Sequence, residues 1–314
     1  MYIDFPGLHL GYVAVVKHVM IRSPLAGFVS ILYVFLGSSA WGEAPSAVKR
    51  GEYIFQAAGG CSCHTDVKND GAFLAGGRAI QTPFGTVYAT NITPDAQTGI
   101  GDWSDEAFIE AMTQGVGPNG EHYLPVFPYT SFTEMKRQDL LDLKAYLFSV
   151  PPVVQANKPH DIPFPLRWGV MMWGWKQFFF RPGSFEPDAS RSAEWNRGAY
   201  LATALAHCSE CHTPRNIAGG VKKSMAYAGA ADGPEGELAP NITPDQATGI
   251  GSWSIEDIVW FLQTGFKPDG DDTQGLMSEM IEMGYQHLRD SDLRAIAVYL
   301  QALEPVSNEI LKKD

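Results

Sequence analysis

The chain has 314 residues, with 23 Lys and Arg against 35 Asp and Glu, for a formal net charge of −12. That balance excludes a nucleic-acid binder, which needs a basic face to neutralise phosphates, and it disfavours docking on anionic membranes through a basic patch. A 45% hydrophobic content excludes disorder, 32 Gly and 21 Pro promise many turns, and four Cys are too few to staple a chain of this length.

In chain order, an apolar run over 24–38 follows Arg22 and leads into the small residues Ser38, Ser39 and Ala40. Such a profile predicts a secretory signal over 1–44, cleaved after Ala40 or Ala44, with Met20 as an alternative start. The competing reading is a retained N-terminal anchor, because the run lies near the lower length limit for a membrane span. Behind it come a first unit over 46–151, a linker over 152–190 and a second unit over 191–314. The units are defined by a repeat. Residues 91–104 (NITPDAQTGIGDWS) and 241–254 (NITPDQATGIGSWS) agree at eleven of fourteen positions, and flanking matches hold at an offset that grows only from 147 to 153.

Each unit reads as about three short helices with long loops. The first helix is expected over 46–58 and again over 192–206. Ser104 and Ser254 stand as N-caps of helices that stop at Gly115 and Gly265, and Ser254 with Asp257 forms a capping-box pattern. Closing helices begin near Gln138 and Ser291. The linker packs Trp168, Met171, Met172, Trp173, Trp175 and Phe178–Phe180 into thirteen residues. It is expected to be buried between the units; a docking surface or a membrane-touching edge is the alternative. So little helix would struggle to assemble a core alone, and a large apolar cofactor resolves the difficulty.

Cys208-Ser209-Glu210-Cys211-His212 is a C-x-x-C-H sequence, the pattern of c-type haem attachment. Two thiols at this spacing reach the two haem vinyls, and the next imidazole falls under the iron as proximal ligand. A redox dithiol would not need the His, and zinc would need further ligands at matched spacing. The first copy, Gly60-Cys61-Ser62-Cys63-His64, has one residue between its thiols instead of two. Cys63 and His64 keep their relation, while Cys61 reaches a vinyl only with local strain. Two haem c groups are therefore expected, with His64 and His212 as proximal ligands and Cys61, Cys63, Cys208 and Cys211 as covalent anchors, the Cys61 bond left open. For the sixth position of the second haem, Met277 is the first candidate and Met280 the alternative. In the first unit Phe127 stands where a ligand Met is expected, which leaves Met135, His122 or an open iron. Trp103 and Trp253 could donate an indole N–H to a propionate or be plain core. Asn91 and Asn241 could do the same or hold Asx-type turns.

With the paired Gly-x-Tyr first helices, the motifs CSCHTD and HCSECHTPRN, the twin NITPD loops and the closing Tyr-Leu helices, the chain resembles the class I dihaem c-type cytochromes of bacterial periplasms over nearly everything after residue 46. It is similar to the cytochrome subunits of alcohol, aldehyde and sugar-acid dehydrogenases. The resemblance implies an all-α fold of two tandem cytochrome c-like domains, short helices and long loops wrapped around covalently bound haem. It also implies His below and Met above each iron, and a periplasmic relay of single electrons from a dehydrogenase to an oxidase or another cytochrome. Membrane association would then come through a partner or an uncleaved N-terminus. No nucleophile–base pair or phosphate-cradling loop suggests protein-based catalysis. The rival function is a haem enzyme, a dihaem peroxidase or a thiosulfate dehydrogenase-like protein, using the first haem as an open site.

Overall fold

The computed structural model describes residues 45–310; the predicted leader and its cleavage points lie outside the described residues. The first half contains α1 (Ala47–Ala57), a hairpin of β1 (Ala79–Thr82) and β2 (Gly85–Tyr88), then α2 (Asp105–Gln114), α3 (Tyr129–Phe132) and α4 (Arg137–Leu147). After α5 (Gly169–Phe179), the second half contains α6 (Ala193–Tyr200), α7 (Cys208–Cys211), α8 (Ile255–Thr264), α9 (Gly275–Met283) and α10 (Asp290–Gln301). The structure is mostly helical, as expected, and the hairpin is its one small sheet among the described residues. It is short and antiparallel, with Ala79 opposite Tyr88 and Thr82 opposite Gly85, and a two-residue turn closes it. Its alternation spans only four residues per strand, too few to stand out in the sequence.

Helix ends follow local chemistry. The Ser104 hydroxyl accepts the Ala107 N–H, and Gly115 at φ 61° ends α2 in the left-handed conformation a Cβ would resist. In α8 the expected capping box forms between Ser254 and Asp257, and Gly265 at φ 79° ends the helix. The first helix of the second half runs close to its predicted 192–206, with α6 passing directly into a π-helix over Leu201–Leu205.

The repeat recurs as two equivalent helix crossings. α1 lies on α4 and α6 on α10, each with a glycine at the closest point. A Cβ on Gly51 would stand 1.8 Å from the Asp142 carbonyl oxygen, and one on Gly198 would stand 1.8 Å from that of Ala295. Both obstacles are backbone, so Gly198→Ala is expected to cost about 3 kcal/mol or more, read as a lowered thermal midpoint. A midpoint within error of the parent would show that the helices can separate freely.

The halves hold each other through a reciprocal pair. Tyr53 of α1 donates to Asp292 at 2.5 Å and accepts the Arg289 backbone N–H at 3.3 Å. Its counterpart Tyr200 of α6 donates to Asp139 and accepts the Lys136 backbone N–H at 3.1 Å. Arg289 lies 4.6 Å over the Tyr53 ring and Lys136 lies 4.7 Å over the Tyr200 ring. Burial alone would raise the Asp292 pKa, but hydrogen bonds from Arg197 and Tyr53 and the charges of Arg197 and Arg289 hold it at about 2. A carboxylate depressed on folding stabilises above its unfolded value near 3.8, and the benefit fades as pH falls toward 2. Acid titration of the parent against Asp292→Asn should show a stability difference of about 2 kcal/mol at neutral pH that disappears over that window. A gap unchanged at pH 2 would assign the effect to packing.

The expected linker divides in two. Its first part is bound to the first half: the Val153 N–H donates to Thr93 Oγ1 at 3.1 Å, and the Asp161 carbonyl accepts the Thr86 N–H at 2.9 Å. Val306 does the same with Thr243 at 3.2 Å in the second half. The second part is the helix α5, and the expectation that its aromatic side chains are all buried is corrected. One face carries Met172, Lys176 and, just beyond the helix, Phe180 into the protein, where Lys176 Nζ donates to the Gln114 and Gly115 carbonyls at 2.7 and 2.8 Å. The other face is open to solvent. Among the described residues no helix is long and apolar enough to cross a membrane.

Candidate haem attachment sites

Both motifs follow a first helix and begin with a left-handed residue, Gly59 at φ 73° and His207 at φ 42°. In the second site the backbone then enters α7 normally. In the first it stays left-handed through Gly60 (φ 68°) and Cys61 (φ 46°). The missing residue is thus made up by strain: a Cβ-bearing side chain is held in a conformation costing on the order of 1 kcal/mol or more.

The two imidazoles are placed alike. His64 Nδ1 lies 2.7 Å from the Thr90 carbonyl oxygen, and His212 Nδ1 lies 2.7 Å from that of Pro240. A carbonyl only accepts, so each Nδ1 carries the proton and each Nε2 keeps its lone pair for a metal. Burial lowers both imidazole pKa values, which favours that neutral form. The two carbonyls stand just before Asn91 and Asn241, so the repeated loop orients the histidine of its own half. Further supports repeat as well. Thr65 Oγ1 accepts the Leu74 N–H at 3.0 Å, and Thr213 Oγ1 accepts the Tyr227 N–H at 3.1 Å.

Four free thiols are available. Burial pushes Cys61, Cys208 and Cys211 up to about 12 and raises Cys63 too, so all four are neutral at neutral pH. At Cys211 burial is the main cause, with the charges of Glu210, Cys63 and Cys208 adding to it. Each motif also leans on the other half. The Ser62 hydroxyl donates to the Met280 thioether at 3.7 Å, and a Cβ on Gly59 would meet that sulfur at 2.5 Å. Glu210, inside the second motif, accepts from Thr130 at 2.5 Å and Ser131 at 2.9 Å on α3.

Met280 accepts the Ser62 hydroxyl of the first motif, and Met277 and Met280 are both partly buried against the core. Met135 is a core residue, 3% exposed, and Phe127 stacks edge-on with Tyr123 and Phe132. His122 Nδ1 lies 3.0 Å from Lys176 Nζ. Asn91 takes the turn role: its Oδ1 accepts from the Thr93 N–H and Oγ1, and its Nδ2 donates to Thr98 Oγ1 and the Val153 carbonyl. Asn241 repeats this with Thr243, Thr248 and Val306. Both amides hold their own loops together through these bonds. Trp103 and Trp253 pack partly buried against the core.

Arg78 escaped the sequence reading. It is 2% exposed, pairs with Glu279 at 2.5 Å and Glu235 at 2.9 Å, and its charge opposes the rise that burial imposes on the Cys63 pKa. The available signal was weak: a lone arginine between two glycines and an apolar pair.

Neutral Nε2 lone pairs on oriented imidazoles, each beside unpaired thiols, suit covalent haem, and a helical fold built on such sites is that of a c-type cytochrome. The chain is 41% identical to a "Diheme cytochrome c-type" of Cereibacter sphaeroides, over 82% of this chain and 86% of that protein. It is 40% identical to the gluconate 2-dehydrogenase cytochrome c subunit of Pantoea cypripedii and 39% identical to the fructose dehydrogenase cytochrome subunit of Gluconobacter japonicus. Those matches cover 87% and 82% of this chain but only 65% and 52% of the relatives, so it spans less than two thirds of either. No protein-family profile matches. The chain belongs to the dihaem c-type cytochromes; it is an electron-transfer cytochrome that binds haem c.

Proposed function

We propose that this protein is an exported, periplasmic dihaem carrier that takes single electrons from a dehydrogenase and delivers them to an oxidase or another cytochrome. When bound, haem c supplies an iron that cycles by one electron. The chain's part is to hold it. His64 and His212 are the proximal ligands, Cys63, Cys208 and Cys211 form thioethers, Cys61 forms a strained fourth, and Met277 is the distal ligand of the second haem. The observation that carries this reading is the matched pair of imidazoles, each held through Nδ1 by a backbone carbonyl at 2.7 Å. Redox titration of the haem-loaded protein, followed by absorption and by the near-infrared Met-to-iron band, tests it. Two one-electron waves and a Met band from the second haem are expected; lack of haem would sink the reading.

A second reading concerns the first haem. Phe127 is an apolar ring packed between Tyr123 and Phe132, Met135 is in the core, and His122 is held at Lys176. This arrangement favours an open iron in that site, as in a haem enzyme of the peroxidase or thiosulfate dehydrogenase kind. Cyanide should then shift the spectrum of one haem and leave the other unchanged; no shift would leave a pure carrier.

A further inference from the structure

The acidic net charge conceals two acid-free stretches. No Asp or Glu occurs over 162–185 or over 213–231, in a chain that carries 35 of them. The fold brings these stretches together. Trp175 Nε1 donates to the Ala218 carbonyl at 2.7 Å, and a Cβ on Gly220 would stand 2.3 Å from the Phe179 ring. The joined surface is apolar and open. On α5 and its N-cap, Trp168, Val170, Trp173 and Phe178 are 52%, 63%, 52% and 78% exposed, and Ile217, on the adjoining loop, is 100% exposed. Arg167, Arg181, Lys222 and Lys223 are exposed in the same two stretches. Lys176 is not among these charges, because its ammonium is buried against the Gln114 and Gly115 carbonyls. Asp161 and Glu186, both exposed, bound the first stretch.

We infer that this face docks on an anionic phospholipid surface. Large aromatic side chains beside cations suit the boundary between headgroups and acyl chains, where Trp rests and Arg and Lys meet phosphate. A fully exposed Ile on a loop tip has the form of a group that enters a fluid surface. The 11-residue α5 is too short to span and is placed to lie flat. The distribution of charge also orients the molecule, since an acidic protein is repelled by anionic lipid everywhere except at such a face. This reading is independent of haem ligation and of which dehydrogenase is the donor.

The test is co-sedimentation of the haem-loaded protein with vesicles of phosphatidylethanolamine and phosphatidylglycerol. The parent is expected to bind, more weakly as salt rises. Phe178→Ser with Ile217→Ser should lower the partition ratio by about tenfold or more, as expected for two apolar side chains withdrawn from an interface. An unchanged haem spectrum and thermal midpoint would certify that the variant is folded, and Lys222→Glu with Lys223→Glu gives a second handle that leaves the apolar face intact. Three results would overturn the proposal: a parent that stays in the supernatant, variants that bind like the parent, or binding that depends only on residues 24–38. A fourth would as well: a parent dimer that dissociates in the Phe178, Ile217 variant without any vesicle binding would make the face a contact between copies.

Discussion

Replacing Cys208 and Cys211 together by Ser is expected to halve the covalently bound haem, from two groups per chain to one. The pyridine haemochrome assay measures this directly. Neither Ser can form a thioether, and haem held only through His212 would leave with acid acetone. The second half should lose stability with it, because Tyr227, Tyr285 and Tyr299 are buried in that half, where burial raises the pKa of all three hydroxyls. Removing a large apolar group from such a setting leaves a cavity that packed neighbours fill only partly. The haem that remains reports on Cys61. A group attached through Cys63 alone keeps one vinyl, which moves its haemochrome band to longer wavelength and leaves Cys61 free to be alkylated. Two full haem equivalents in the Ser variant would refute the assignment of the second site.

Arg78→Met is expected to be the most destabilising substitution outside the motifs. Arg78 is 2% exposed and joins the strand β1 of the first half to Glu279 on α9 and to Glu235 of the second. Burial by itself would lower its pKa, but the Glu279 hydrogen bond and the charges of Glu279 and Glu235 raise it, so the guanidinium is firmly charged. Truncation leaves Glu279 without its cation and Glu235 with only the exposed Lys68, at 3.0 Å. Breaking a buried pair in this way costs about 3–5 kcal/mol, a fall in thermal midpoint on the order of 10 °C for a chain of this size. The control is Arg137→Met, which removes an ion pair to Glu106 whose side chains are 59% and 76% exposed. That change should lie within about 0.5 kcal/mol of the parent. Equal losses in the two variants would mean that the Arg78 cluster is solvated in solution.

Much of the site was readable from order alone, because the chemistry of covalent haem demands neighbours in sequence. Cys208, Cys211 and His212 lie within five positions, and the defect at Cys61 is a matter of counting. The left-handed Cys61 backbone gives that count a physical form. Helix ends were readable for a similar reason: Ser104, Gly115, Ser254 and Gly265 act on backbone groups within one turn. Distal ligands were not so readable. A thioether reaches an iron across the fold, so residue order ranks Met277 before Met280 without seeing contacts such as that of Met280 with Ser62, 218 positions away.

The net charge of −12 disfavoured a membrane patch because a sum carries no positions. Residue order was enough for the motif chemistry, the repeat and the local caps, all of which depend on contacts within a few residues. Folding in three dimensions was needed for the reciprocal Tyr53 and Tyr200 clamps, the burial of Arg78 between the halves and the meeting of two acid-free stretches on one face. Each joins residues from about 40 to 240 positions apart, and such pairs are selected by the packing of the whole chain.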